Sequence, residues 1–447
     1  DIGVFSPIFH KGNLAAFTAC VLHHSDIGGR VASDNHDVFE EGLFIPLVKL
    51  YERGELNQAV LDMIRWNVRT PENVIGDIRS QTAANHVCAA QVQRMLDEYR
   101  LDSLDDLADE IIARSEKSVR SAIEQVPDGI YRAEGVIEQM EGQKDIVIKA
   151  AVEIKDSDIT VDLAGSSPQV SWGGNVVYNF TFAYVHMAIK SIFDPDIPNN
   201  HGSVAVIKLD APEGSVVNCR FPAAVAARLQ IGHFMAAIIY RALAQALPQR
   251  VIASSGGTPA TMNVFYGTFN NGKPWHSVII RGGGMGASSA RDGENSYIFP
   301  ANGANTPIEI LESDTPLLVE RRELLMDSGG AGRFRGGLGT RTVFRIPDDE
   351  YAPPTPVSLG IQSGRFRLPP EGLAGGQAGS RAKFLVNGEQ GNPYGLTKLN
   401  PGDVVVMESS GGGGYGSPAE RDRDALAEDL RAGWVSEEKA KSEYGFE

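Results

Sequence analysis

The chain has 447 residues, 42% hydrophobic and 22% charged, with a formal net charge of −16. That length and composition describe an ordered globular protein with room for roughly two or three subdomains, and the acidic balance excludes a general binder of nucleic acid or anionic membranes, which would concentrate Lys and Arg. Three cysteines without a CxxC pair exclude a disulfide framework and a thiolate zinc site and fit a reducing cytoplasm, while no apolar run approaches the ~20 residues of a membrane helix.

In chain order, IFHKGNLAAFTACVLHHSD predicts a β-hairpin turning around Lys11-Gly12-Asn13, which puts His23 and His24 at a strand end. Apolar residues at Val60, Leu61, Ile64 and Val68, and again at Val87, Val92, Met95 and Leu96, follow the helical period, with a new start at Thr70-Pro71-Glu72. A second helical stretch runs from Ser103 to Val126 and stops at Pro127-Asp128-Gly129. DIVIKAAVEIKDSDITVDLAGSS then alternates as antiparallel strands do, around the turn Lys155-Asp156-Ser157-Asp158. NVVYNFTFAYVHMAIKSIFD and RLQIGHFMAAIIYRALAQAL predict two buried helices. After Ala253 short strands alternate with Gly, Pro and Asn clusters, and the charged tail from Pro418 predicts terminal helices packed on the surface. The expected fold class is mixed α+β, with helical segments in the N-terminal half and a β-rich C-terminal region. Three regions are expected: 1–126, 127–252 and 253–447.

The stretch VLHHSDIGGR (residues 21–30) is the first chemical candidate. Imidazole nitrogens and a carboxylate aimed by a tight Gly-Gly turn suit Zn, Mn or Fe, and the bland alternative is a hydrogen-bonded polar turn. His36 in SDNHDVFEEG is placed to join from the next loop, with Glu40 and Glu41 behind it or merely opening a solvated helix. The glycine clusters lack GxxxxGK[ST], so close backbone packing is expected of them rather than phosphate binding. Arg333 and Arg335 either clamp a carboxylate or phosphate or pair with acidic surface. Cys20, Cys88 and Cys219 are expected to be inert buried thiols. His186 and His233 are expected in the helical core, and His201 is a weak site candidate.

HHSDIGG, FEEGLFIPLVKLYERGELN and VRTPENVIGDIRSQTAAN, followed in order by DLAGSSPQV, DPDIPNNHG, APEGSVVNCRFPAAVAAR, NTPIEILESDTPLLVERRELLMDSGGAGRFRGGLG, PPEGLAGG and GGGGYG, resemble the hydantoinase B family up to about Pro418. The resemblance implies a metal-bearing subunit of an ATP-dependent enzyme opening hydantoin, 5-oxoproline or lactam rings, with ATP and Mg bound by a hydantoinase A-type partner. It matches Asp1 to the last Asp of the family's NDP…GGTHLPD stretch, so a further segment is expected upstream. The implied divalent-metal set is Asp1, His23, Asp26 and His36, and the implied catalytic residues are His23, Asp26 and His24, with His23 and His24 interchangeable as the ligand. Where many hydrolase-type members read Gly-Asn-x-Glu-Thr, this chain reads ARLQIGHF at 227–234. That departure keeps open an ATP-dependent ketone carboxylase of the acetone or acetophenone type, and a third reading is a non-catalytic assembly subunit.

Overall fold

The computed structural model describes residues 1–30, 34–139, 144–259 and 262–446. Contacts separate two units: Asp1–Val31, Asp37–Ser118 and Ile197–Ala205 form the first, and Ala32–His36, Val119–Asp196 and Val206–Glu447 the second. The mixed α+β class expected from the sequence is the one observed, with strands dominating after residue 253.

In the first unit β1 (Ile2–His10) and β2 (Asn13–Leu22) pair antiparallel. Lys11 and Gly12 join them, both at positive φ, the geometry that follows the strand twist in a two-residue hairpin. A small ribbon of β3 (Tyr51–Glu52) and β4 (Glu55–Leu56) precedes α1 (Gln58–Asn67) and α2 (Pro71–Glu98). Pro71 opens α2, where its missing N–H would have had no helical partner.

Polar side chains of α2 hold the hairpin. Gln81 Nε2 donates to the carbonyls of Ile2 and Cys20 at 2.8 and 3.0 Å, Asn85 Nδ2 to that of Val4 at 2.9 Å, and Gln93 Nε2 to that of Phe9 at 2.8 Å. Carbonyls without strand partners are thereby satisfied. The inward stripe of α2 runs Gln81, Asn85, Ala89, Val92 and Leu96, which leaves Cys88 exposed where a buried thiol was expected. Val60, Ile64, Val74 and Ile78 form the core beneath. The next helix, α3 (Asp105–Ile123), starts two residues after Ser103, whose hydroxyl accepts from the Asp105 N–H.

The second unit contains a sheet ordered β5 (Gly129–Ile137), β6 (Ile146–Lys155), β7 (Asp158–Asp162) and β8 (Ile207–Asp210), the last pair parallel. Two helices belong with it, α4 (Tyr178–Phe193) and α6 (Leu229–Leu243), whereas the short α5 (His201–Ala205) between them in sequence belongs to the first unit. Helix α6 packs on α4, β5 and β6 and is buried along most of its length, as its apolar composition predicts.

Residues beyond 262 build a sandwich. One sheet is ordered β10 (Pro274–Ile280), β9 (Met262–Thr268), β13 (Val357–Gln362), β16 (Leu396–Leu399). The helix α7 (Ile308–Asp314) leads into the other, ordered β11 (Leu318–Leu324), β12 (Thr340–Arg345), β17 (Val404–Glu408), β14 (Lys383–Val386), β15 (Glu389–Gln390). Phe265, Leu359 and Ile361 from the first meet Phe344, Phe384 and Met407 from the second in one core.

The glycine clusters converge on residues 410–416. Gly412 N–H donates to the Gly337 carbonyl, Gly413 to Ser254 and Gly414 to Gln377, so successive residues bond different neighbouring segments. A Cβ on Gly412 would lie 2.1 Å from the Met285 carbonyl oxygen, which explains why side chains are excluded. Gly412→Ala is therefore expected to destabilise the fold by at least about 1–3 kcal/mol through overpacking. Thermal denaturation checks this, and an unchanged Tm would contradict it.

Terminal helices α8 (Arg423–Arg431) and α9 (Glu437–Tyr444) do more than cover the surface. Leu426, Val435, Ala440 and Tyr444 bury themselves with Ala331 of a glycine loop. Among the described residues no helix is long and apolar enough to cross a membrane.

Candidate functional site

The strand pair sets the first cluster. Antiparallel pairing of Ile2 with Leu22 leaves Asp1 and His23 facing each other just past the last rung, and Asp1 Oδ1 lies 2.6 Å from His23 Nδ1. His24 Nδ1 lies 3.1 Å from the Leu22 carbonyl, to which it donates, and its Nε2 is buried without a hydrogen-bond partner. Burial holds the His24 pKa below its ordinary value despite the opposing pull of Asp77. A neutral ring with its proton on Nδ1 carries its lone pair on the buried Nε2, on the side facing Gln81.

Asp26 takes another role. Its carboxylate is buried and accepts from the Gly28 N–H at 3.0 Å, from the Arg69 N–H, and from Arg69 Nη1 at 2.7 Å. Burial alone would raise its pKa, but these donors and the guanidinium charge outweigh it and hold the acid below its ordinary value. Gly29 allows the turn to close: at φ +60 its Cβ would sit 2.2 Å from the Gly42 nitrogen. The chain there is tied by Leu43 N–H to the Ile27 carbonyl and Arg30 N–H to that of Glu40.

Among the described residues no group of three or more His, Cys, Asp or Glu is placed to hold a metal ion. The donors nevertheless fit one in part. Asp1 and His23 converge at the strand end, and Asp26 is engaged by Arg69. Arg69 was not apparent in the sequence, since 43 residues separate it from Asp26. His36 lies in the second unit, in the wall of a cavity of about 260 Å³.

Other sequence candidates are placed as follows. His201 is exposed at the start of α5. His233 is buried beside the Tyr184 ring, at 5.6 Å between centroids, and neither ring nitrogen has a hydrogen-bond partner, so the expectation of a satisfied core histidine fails. Burial lowers its pKa to about 4 and keeps it neutral. Arg335 clamps a carboxylate of its own chain, Asp429 on α8, at 3.2 Å.

Residues 1–418 match the family model described as hydantoinase B/oxoprolinase. The chain belongs to that family. The B-type subunit of a putative D-/L-hydantoinase from a Pseudomonas species is 31% identical over 471 residues, covering 100% of this chain and 78% of the relative. The crystal structure of an ATP-dependent caprolactamase from Pseudomonas jessenii shares 29% identity at a TM-score of 0.86 and covers 99% of this chain and 79% of its own. A nucleotide-free acetone carboxylase structure, at 20% identity, shares the fold with a TM-score of 0.84, over 99% of this chain and 66% of that one. This hydantoinase B-type chain thus stands among relatives described as a hydantoinase subunit and a caprolactamase, and shares its fold with an acetone carboxylase.

Proposed function

We propose that this hydantoinase B-type chain is the metal-bearing subunit of an ATP-dependent cyclic-amide hydrolase, acting with an ATP-binding partner of hydantoinase A type. The observation that carries this reading is the convergence of Asp1 and His23 at the strand end. The hydantoinase and caprolactamase relatives, near 30% identity over essentially the whole chain, support the amide over the ketone.

An unstrained lactam carbonyl resists water, and phosphorylation of its oxygen by ATP on the partner makes the carbon attackable and creates a leaving group. Asp1 and His23 would hold a divalent ion (Zn, Mn or Fe), with Asp26 as a further donor. Such an ion supplies Lewis acidity and acidifies water at neutral pH. The Leu22 carbonyl keeps the His24 proton on Nδ1. Arg69 and the Gly28 N–H orient Asp26.

The carboxylase reading draws on ARLQIGHF, which opens α6 where the sequence departs from hydrolase-type members. ATP turnover by the copurified complex separates the two. The expected result is stimulation by hydantoins, lactams or 5-oxoproline. Stimulation by ketone plus bicarbonate alone would sink the hydrolase reading.

A further inference from the structure

The hairpin end that carries Asp1 and His23 does not hold itself together. The His23 side chain is 91% exposed, so its position follows the backbone beneath it. A two-stranded ribbon is marginally stable by itself, and chain ends fray. Whatever ties β1 to β2 at this end therefore sets how Asp1 and His23 meet.

Gln81 of α2 makes that tie. Its side chain is fully buried, and Nε2 donates to the Ile2 carbonyl on β1 at 2.8 Å and to the Cys20 carbonyl on β2 at 3.0 Å. A carboxamide nitrogen carries two hydrogens, and here each holds a different strand. Ile2 directly follows Asp1, and Cys20 lies just before His23 on the other arm, so the clamp sits beneath the pair that meets at 2.6 Å.

The orientation of this carboxamide is locked. Reversing it would set its oxygen against two carbonyl oxygens, so Nε2 faces the strands and Oε1 is left buried without a hydrogen-bond partner. Burial lowers the His24 pKa, and Gln81 acts on that ring in the opposite sense, as an acceptor within reach does. His24 Nε2 is also buried without a partner. Orphaned acceptors are costly, and two of them are tolerated beside a clamp that grips both strands.

We propose that Gln81 is a positioning residue which, through Ile2 and Cys20, sets the spacing of Asp1 and His23. That the spacing serves a divalent ion rests on the proposed function, whereas the spacing itself follows from the hairpin. Gln93 is the matched control: it also donates from α2 to a hairpin carbonyl, that of Phe9 at 2.8 Å, but near the turn.

Gln81→Met and Gln93→Met each remove one carboxamide, and two measurements on the full chain compare them. In the first, Co(II) is titrated against the purified chain and read by its visible ligand-field spectrum. Gln81→Met is expected to weaken Co(II) binding at least about tenfold and to shift the bands, as loss of a ligand-orienting residue does, with Gln93→Met within about twofold of wild type. The second needs no metal. Asp1→Cys and His23→Cys are combined, and disulfide formation between them in glutathione buffers is followed by peptide mapping. Positions facing each other across an antiparallel pair lie at disulfide distance, so the bridge reports their spacing. Gln81→Met should lower the effective concentration of the two thiols at least about tenfold, and Gln93→Met should change it by less than about twofold.

If Gln81→Met does not fold by circular dichroism, Gln81→Asn takes its place, keeping the amide but shortening it by one methylene. Unchanged bridging in the Gln81 variant would overturn the assignment. So would an equal loss in the Gln93 variant, which would mark general loosening of the hairpin. Co(II) binding that is the same in wild type and the Gln81 variant would also overturn it and leave the metal-bearing reading intact. A wild-type chain that binds no Co(II) would defeat the metal-bearing reading, and the bridge alone would then decide the role of Gln81.

Discussion

His23→Ala is expected to abolish binding of the proposed divalent metal by the purified chain and to lower the proposed ATP-coupled ring opening in the complex by at least about 100-fold. His23 and Asp1 meet at 2.6 Å only because strand pairing carries both to the same hairpin end. Removing the imidazole breaks a donor pair that is already assembled. Asp26→Asn tests the more distant contribution: an amide keeps the shape but loses the charge that Arg69 and an ion would share. Metal analysis by mass spectrometry, alongside turnover, is the measurement. Wild-type metal content and activity in both variants would leave an assembly role as the better account.

The second large effect concerns stability. Asp429→Leu is expected to cost about 3–5 kcal/mol, because it leaves a buried guanidinium without its counter-charge. Arg335 and Arg421 both reach Asp429 Oδ2, at 3.2 and 2.5 Å, and all three side chains are nearly inaccessible. Arg421 also bonds Asp292 at 2.9 and 2.8 Å, and the Arg335 N–H donates to the same carboxylate at 2.7 Å. Two arginines and two aspartates balance, and removing one aspartate leaves a net positive charge inside. Urea denaturation checks the cost. Pairing Asp429→Leu with Arg335→Met should recover much of it, since the double change restores charge balance. A loss under about 1 kcal/mol in the single variant would show that the network adds little.

The same network sets an acid limit. Burial would raise the Asp292 pKa, but Arg421 and Arg335 hold it below its ordinary 3.8. A depressed native pKa adds stability that is fully present above the unfolded value and is lost as pH falls through the folded one. Stability from Asp292 is thus expected to persist to about pH 4 and to decline below it.

Local patterns made much of the architecture legible. Lys11-Gly12 announced the hairpin, Thr70-Pro71 the start of α2, and the alternation in DIVIKAAVEIK the strand β6, because turn chemistry and side-chain periodicity act within a few residues. His23, His24 and Asp26 stood out for the same reason: candidate donors lie within four positions of one another. Arg69 did not, because its link to Asp26 spans 43 residues and leaves no spacing to read. The cavity was less visible still, since Glu138, Trp172, Gln230, Ser363 and Tyr394 meet only after five segments have packed.

Sequence by itself determined the elements, the family and the candidate donors, all of which depend on short-range order or on a whole-chain pattern of motifs. Tertiary structure decided how the charges were used. Arg335, open in the sequence to a ligand or to the surface, found Asp429 ninety-four positions away. Asp26 was taken by an arginine, and a glycine-rich run became the centre of an interlocked backbone bundle. Burial makes a side chain's nearest partner matter more than its neighbours in sequence, and partners at such separations are set only by the packed fold.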